Sequence, residues 1–315
     1  FWYGLVGSEM CLRDRRLYRS GELQARIERA RLVLRHCTLC PRECGVDRAA
    51  GELGYCRAGP LPKIASWNVH PWEEPPISGT RGSGTIFLSN CTGRCLFCQN
   101  YPISQLGVGS EVSEVRLAGM MMELQRKRCH NINWVSPTHY VPQIIAALAL
   151  AIPQGFHLPL VYNTGGYDSL RTLALLDGIV DVYMPDAKYA DAGAGLRFSG
   201  VRNYPEVNRA AIREMHRQVG DLVIDGDGVA RRGLLVRHLV LPEGLAGTGE
   251  VVRFLRDQVS PRTYINVMAQ YRPCYRASQM PPLDRRVTAA EYAEAVRLAA
   301  DAGLRLDERR PRFAW

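Results

Sequence analysis

Between residues 90 and 100 the chain reads N-C-T-G-R-C-L-F-C-Q-N, which crowds Cys91, Cys95 and Cys98 into one short loop. The neighbouring cysteines in sequence, Cys56 and Cys129, are far off on either side. Thiolates at i, i+4 and i+7 can hold three corners of a cubane 4Fe-4S cluster and leave its fourth iron free to bind a small molecule. Zinc is the competing metal, but a structural zinc site takes four ligands, commonly in C-x2-C pairs. The nearest extra candidates here, Cys129 and His130, stand beyond a predicted helix.

A second group, Cys37, Cys40, Cys44 and Cys56, forms C-x2-C-x3-C-x11-C on a segment containing Pro41 and Gly45. Four thiolates suit an auxiliary all-cysteine 4Fe-4S cluster, which would carry electrons, or a zinc ion, which would fix a small lobe with little core of its own. Both remain open. Cys274, after the last predicted strand, is read as a buried free thiol in preference to a hydrogen-atom donor or ligand, and Cys11 and Cys129 as ordinary thiols. Clustered thiols in a chain of this size without a secretory signal point to the cytoplasm or another reducing compartment, where the formal sequon Asn90-Cys91-Thr92 carries no meaning.

The three-cysteine loop needs a scaffold, and the sequence from residue 84 onward supplies one by alternating apolar β-rich runs with amphipathic helical patterns. Strands are predicted at 84–89, 132–136, 158–163, 180–184, 234–241 and 264–270. Helices are predicted at 113–128, 142–151, 169–176, 205–219, 249–259 and 288–302. The last is signed at both ends: Thr288 and Glu291 form a capping box and Gly303 stands where a C′ glycine belongs. Six βα units imply a parallel sheet with helices outside, as a partial barrel or an open doubly wound sheet. Either architecture concentrates chemistry at the C-terminal ends of strands. There the sequence places the cysteine loop, then Pro137-Thr138-His139-Tyr140, Asn163-Thr164-Gly165-Gly166, Pro185-Asp186-Ala187-Lys188, Pro242-Glu243-Gly244 and Tyr271-Arg272-Pro273.

Ahead of this series a helix is predicted at 21–36, with Leu23, Ile27, Ala30 and Leu34 on one face. Residues 70–84 are rich in Pro and Gly and read as a connector, in which Gly79, Gly82 and Gly84 form a turn before a strand instead of a phosphate loop. Three regions are expected: an N-terminal helix and metal-binding lobe (1–75), the βα unit (76–280), and a C-terminal helix with a basic tail (281–315).

Composition excludes several classes. The 315 residues are 46% apolar and 23% charged, ordinary globular usage, and no apolar run approaches the ~18 residues a membrane-spanning helix requires. The start, F-W-Y-G-L-V-G-S-E-M, has neither initiator Met nor basic leader and reads as incomplete. The net charge of +9 gathers at the ends, in Arg13, Arg15, Arg16, Arg19, Arg26, Arg29, Arg31 and Arg35 and in Arg309, Arg310 and Arg312. Solvated helix faces explain such arginines more simply than a nucleic-acid or acidic protein partner.

With C-x3-C-x2-C, an aromatic residue, Phe97, before its last cysteine, and a position after the first strand of a βα series, the chain resembles the radical S-adenosylmethionine enzymes. Within them it looks most like pyruvate formate-lyase activating enzyme-like proteins, through C-P-R-E-C-G, V-x-P-T-H-Y, D-V-Y-M-P-D-A-K-Y, V-R-H-L-V-L-P and M-A-Q-Y-R-P. The resemblance implies an α/β partial (β/α)6 barrel in which Cys91, Cys95 and Cys98 hold the cluster. S-adenosylmethionine on the open iron would be cleaved reductively to a 5′-deoxyadenosyl radical that abstracts hydrogen. It further implies that the Phe97 backbone meets the adenine and that Thr138 and His139 lie near the methionine end. Asn163 and Thr164 would sit by the ribose or carboxylate, with Asp186, Lys188 and Arg237 in the polar shell. One departure stands out: Pro137-Thr138-His139-Tyr140 occupies the place where activating enzymes carry a Gly-Gly-Glu type motif for the methionine amino group.

The expected partner is a reductant such as flavodoxin or ferredoxin, with no membrane. The expected activity is that of an activating-enzyme-like oxidoreductase, acting on a glycyl-radical protein or else on RNA, a peptide or a metabolite. The alternative from another class is a noncatalytic iron-sulfur protein for electron transfer or scaffolding.

Overall fold

The computed structural model describes residues 13–307. The opening segment, Cys11, Arg309, Arg310 and Arg312 lie outside the described residues. Two helices lead, α1 (Arg13–Arg19) and α2 (Glu22–Val33), the second continued by a 3-10 turn at Leu34–His36. As the apolar spacing requires, Leu23, Ile27, Ala30 and Leu34 are all buried. The four-cysteine segment follows, and then β1 (Lys63–His70), a helical turn α3 (Pro75–Ser78) and β2 (Ser83–Leu88).

After the three-cysteine loop come a short helix, α4 (Tyr101–Ser104), and β3 (Ser110–Glu111), then α5 (Glu114–Arg126), β4 (Ile132–Val135), α6 (Val141–Ala151), β5 (Leu160–Thr164), α7 (Leu170–Leu176) and β6 (Val182–Pro185). The chain continues through α8 (Ala192–Ser199), α9 (Tyr204–Val219), β7 (Val223–Ile224), β8 (Ala230–Leu239), α10 (Thr248–Gln258), β9 (Tyr264–Met268), α11 (Ala289–Asp301) and β10 (Arg305–Leu306). Side-chain caps start several helices. Ser113, Ser169 and Asp191 each accept from the backbone N–H three residues on, and the capping box of Thr288 and Glu291 is present at α11.

The strand order β10-β9-β8-β6-β5-β4-β2-β1-β3 decides between the two candidate architectures. From β2 to β10 every pairing on this path is parallel and the strands follow one another in chain order. A doubly wound sheet reverses direction at a switch point; a barrel does not. The fold is an α/β partial barrel, its first six parallel strands being the six expected from the sequence. It is left unclosed, because β1 covers the outer edge of β2 in antiparallel pairing and β10 covers that of β9.

The pleat sorts side chains into two layers. Ile86, Trp134, Tyr162, Tyr183 and Leu234 stand in register across five strands and pack outward with the helices. Inside the barrel a smaller cluster gathers Val161, Val182, Met184, Leu235 and Tyr264 around Ile77 of α3. The 70–84 segment is therefore more than the connector its composition suggests: it ends β1, inserts a helical turn into the bottom of the barrel and begins β2. Gly79 and Gly82 make the turn there at φ 49° and 80°, and a Cβ on Gly79 would stand 2.7 Å from the His130 ring.

Candidate functional site

The loop bearing Cys91, Cys95 and Cys98 leaves the C-terminal end of β2 through Asn90, which takes a left-handed φ of 71°. Backbone bonds hold it from two sides: Arg94 and Leu96 donate to Ser199 and Phe198 at the end of α8, and Arg276 donates to the Leu96 carbonyl. Buried Phe97 meets the Tyr271 ring edge-on at 5.6 Å. All three thiols are partly exposed. Each has a polar neighbour: Gly93 N–H donates to Cys91 Sγ (3.4 Å), Ser199 Oγ to Cys95 Sγ (3.0 Å), and Ser104 Oγ lies 3.1 Å from Cys98 Sγ.

Desolvation pushes the Cys91 thiol up to about 12 and raises Cys98 as well, with the nearness of Cys95 adding to both. Among the described residues no three His, Cys, Asp or Glu side chains stand ready to hold a single metal ion. A cubane asks for something different, since each thiolate binds its own iron at a separate corner.

Next to the loop, within the barrel mouth, is a charged group contributed by the segment after β6 and by β8. Lys188 Nζ donates to Asp186, and Arg237 reaches Asp186 from Nε and Nη2, both at 2.9 Å. Burial alone would raise the Asp186 carboxyl, but the charges of Arg237 and Lys188 outweigh it and hold the group below its ordinary value. Arg237 Nη2 also donates to Asn163 Oδ1 at 2.6 Å. Asn163, Asp186, Lys188 and Arg237, far apart in sequence, are thus one constellation; burial alone would lower Lys188, but Asp186, and after it Cys95, raise it above its ordinary value.

Thr138, His139 and Thr164 stand differently. The Thr138 and Thr164 hydroxyls donate to Asp168 at 2.6 and 2.7 Å, joined there by Tyr162 Oη at 2.9 Å. His139 is buried with Nε2 2.9 Å from the Ser89 carbonyl, and desolvation lowers it to about 4, a neutral ring. These side chains brace the strand ends that carry the site.

Sequence reasoning passes over several residues that complete the interior. Glu73 and Glu74, in the segment read as a connector, point into the barrel. Glu73 Oε2 accepts from Asn133 Nδ2 at 2.7 Å and Asn163 Nδ2 at 3.4 Å. Glu74 Oε1 accepts from Asn266 Nδ2 at 3.3 Å, while its Oε2 is buried without a partner. Arg237 Nη1 stands 3.5 Å from Glu73 and 3.8 Å from Glu74. Together with Trp72, Tyr292 and residues 266–270 these side chains line a cleft of about 450 Å3. The available signal was two adjacent acids in a Pro-rich stretch without basic neighbours.

In the N-terminal lobe, Cys37, Cys40 and Cys56 are buried and Cys44 exposed. Burial pushes Cys40 up to about 12, with contributions from Cys56, Cys44 and Cys37, which places the four thiols in one neighbourhood. The fully buried Arg48 ties this lobe to the barrel, donating to the carbonyls of Gly59 (2.8 Å) and His139 (2.7 Å).

No family model matches the chain. Two proteins of Methanocaldococcus jannaschii, each described only as uncharacterized, are similar to it. One is 29% identical over 293 residues, covering 90% of this chain and 80% of the relative. The other is 24% identical over 292 residues, covering 85% and 79%. Among solved structures, a radical SAM methyltransferase from Sphaerobacter thermophilus superposes over 99% of this chain and 95% of its own, with a TM-score of 0.51 at 15% identity. The two chains share a fold.

Proposed function

We propose that this protein is a radical S-adenosylmethionine enzyme that abstracts hydrogen from a substrate held in the barrel. The observation that carries the reading is C-x3-C-x2-C, with Phe97 before its last cysteine, on the loop after the first parallel strand of a partial barrel. The fold likeness supports it. When bound, a 4Fe-4S cluster with S-adenosylmethionine supplies a 5′-deoxyadenosyl radical by reductive cleavage.

The chain's own part follows from its residues. Cys91, Cys95 and Cys98 hold the cluster as thiolates. Because burial keeps Cys91 and Cys98 protonated in the metal-free chain, loading releases protons as iron charge replaces them. The Phe97 backbone and the ordered polar groups of Asn163, Asp186, Lys188 and Arg237 offer partners for adenine, ribose hydroxyls, amine and carboxylate. Thr138, His139 and Thr164 act by position. Cys37, Cys40, Cys44 and Cys56 hold a second metal, an auxiliary cluster or zinc, and electrons come from a flavodoxin or ferredoxin type donor. Glycyl-radical activation is the narrower form of this reading, with a protein backbone as hydrogen source; a peptide, metabolite or RNA substrate is its alternative.

Anaerobic reconstitution followed by metal counting and a 5′-deoxyadenosine assay tests the proposal. The parent chain is expected to release 5′-deoxyadenosine on reduction and Cys91→Ala to fall to background. A reduced parent protein that leaves S-adenosylmethionine intact would make it a noncatalytic iron-sulfur protein. About eight irons per chain would mark a second cluster, and about four with one zinc a structural ion.

A further inference from the structure

We propose that the cleft formed by Trp72, Glu73, Glu74 and Asn266 is a recognition site for an alkylammonium group of the substrate, whose nitrogen is received by the Glu74 carboxylate. The inference deepens the proposed function and rests on it for the word substrate, though the binding site itself does not depend on the radical chemistry.

Three observations carry it. The first is the unmatched acid: Glu74 is 6% exposed, its Oε2 has no hydrogen-bond partner, and its Oε1 has only the long bond from Asn266. A buried carboxylate oxygen left without a donor is costly, so it marks a place where something from outside completes the site.

The second is the charge count within the barrel. Glu73, Glu74 and Asp186 face Arg237 and Lys188, and both cations are spent first on Asp186. Arg237 offers the two glutamates only Nη1, at 3.5 and 3.8 Å. Glu73 is compensated by the amides of Asn133 and Asn163; Glu74 is left over. Burial, against the pull of Arg237 and with the neighbouring Glu73 adding to it, raises its pKa to about 8, so without an outside cation the group keeps a proton. A ligand cation satisfies it directly, with a charge-assisted bond in a site of low polarity.

The third is the mouth of the cleft. Trp72 is 86% exposed although it lines a cavity of about 450 Å3, the size of a side-chain or small-metabolite site. An exposed indole leading to a buried carboxylate is a path suited to a cation, which the ring face attracts and the acid retains. The far wall of the cleft touches the cysteine loop, since Gln99, next to Cys98, donates to the Gln270 carbonyl at 3.1 Å. A ligand anchored by its ammonium would extend toward the radical source.

Titration calorimetry of the full chain with butylammonium chloride tests this, with 1-butanol and sodium butyrate as probes of the same length. Saturable binding of butylammonium is expected, with proton release at pH 7 and no measurable binding of butanol or butyrate. Glu74→Gln should weaken it about tenfold or more, and Trp72→Ala, a surface change that cannot unsettle the core, about threefold. Butyrate binding in preference to the amine would assign the cleft to Arg237 and overturn the proposal. Equal binding of butanol, no binding of the amine, or unchanged affinity in Trp72→Ala together with any folded Glu74→Gln protein would overturn it as well. Because the titration needs neither reductant nor cluster, amine binding in a protein that fails to cleave S-adenosylmethionine would sink the radical reading alone, and cleavage without amine binding would sink this one alone.

Discussion

Glu74 and Asp168 show how the same side-chain chemistry serves opposite ends. Asp168 is buried and raised by desolvation, yet three hydroxyls, from Thr138, Tyr162 and Thr164, satisfy it. Asp168→Ala leaves those hydroxyls orphaned and should cost about 3 kcal/mol or more in a urea titration. Glu74 lacks such support, and its carboxyl stays protonated up to about pH 8 in the fold, against an ordinary value near 4.5. The folded state therefore holds a proton that the unfolded chain releases, so Glu74 stabilises at low pH and loses that contribution as pH rises from about 4.5 through about 8. His139, neutral in the fold and lowered to about 4, acts with the opposite sign: its contribution is full above the ordinary histidine value and is lost as pH falls toward 4. Denaturant titrations across pH 4–9 should show Glu74→Gln removing the alkaline decline and leaving the acid one.

The elements differ in what they are asked to hold. The four-residue α3 cannot be stable by its own hydrogen bonds; it is fixed because Ile77, fully buried, fills the barrel floor among Val161, Val182 and Tyr264. That placement also sets Glu73 and Glu74 at the cleft. Ile77→Ala should cost about 2–4 kcal/mol and loosen amine binding with it, measurable as a lower melting temperature and a weaker butylammonium isotherm. The four-cysteine lobe depends similarly on Arg48, which crosses to the His139 carbonyl. Arg48→Met keeps volume and leaves two buried carbonyls unpaired, so it should cost about 2–4 kcal/mol. The lobe should then be cut sooner by limited proteolysis than the barrel.

At the scale of the molecule, the sheet is strongest in its middle and open at its seam. β4, β5 and β6 are paired on both sides and covered by helices on their outer face, whereas β3 and β10 are two-residue strands at the two ends of the sheet. Amide exchange should be slowest at 132–135, 160–164 and 182–185 and fast at 110–111 and 305–306. Equal protection throughout would mean the barrel closes in solution. Among the described residues no helix is long and apolar enough to cross a membrane.

The sequence by itself determined the six βα units, the loop carrying Cys91, Cys95 and Cys98, and the strand-end positions of Asn163, Asp186 and Lys188. These are written in local signals: apolar periodicity, caps such as Thr288 with Glu291, and cysteine spacing, each set by a few neighbouring residues. Only the tertiary structure decided between a barrel and a doubly wound sheet, because strand order is a property of pairing across the whole chain. It alone brought Glu73 and Glu74 to Arg237 across some 160 residues of sequence, turned a stretch that reads as connector into the floor of the barrel, and gave Thr138 and Thr164 to Asp168. A carboxylate's role depends on whether the fold brings it a donor, and no local pattern in W-E-E-P-P records that Glu74 is left without one.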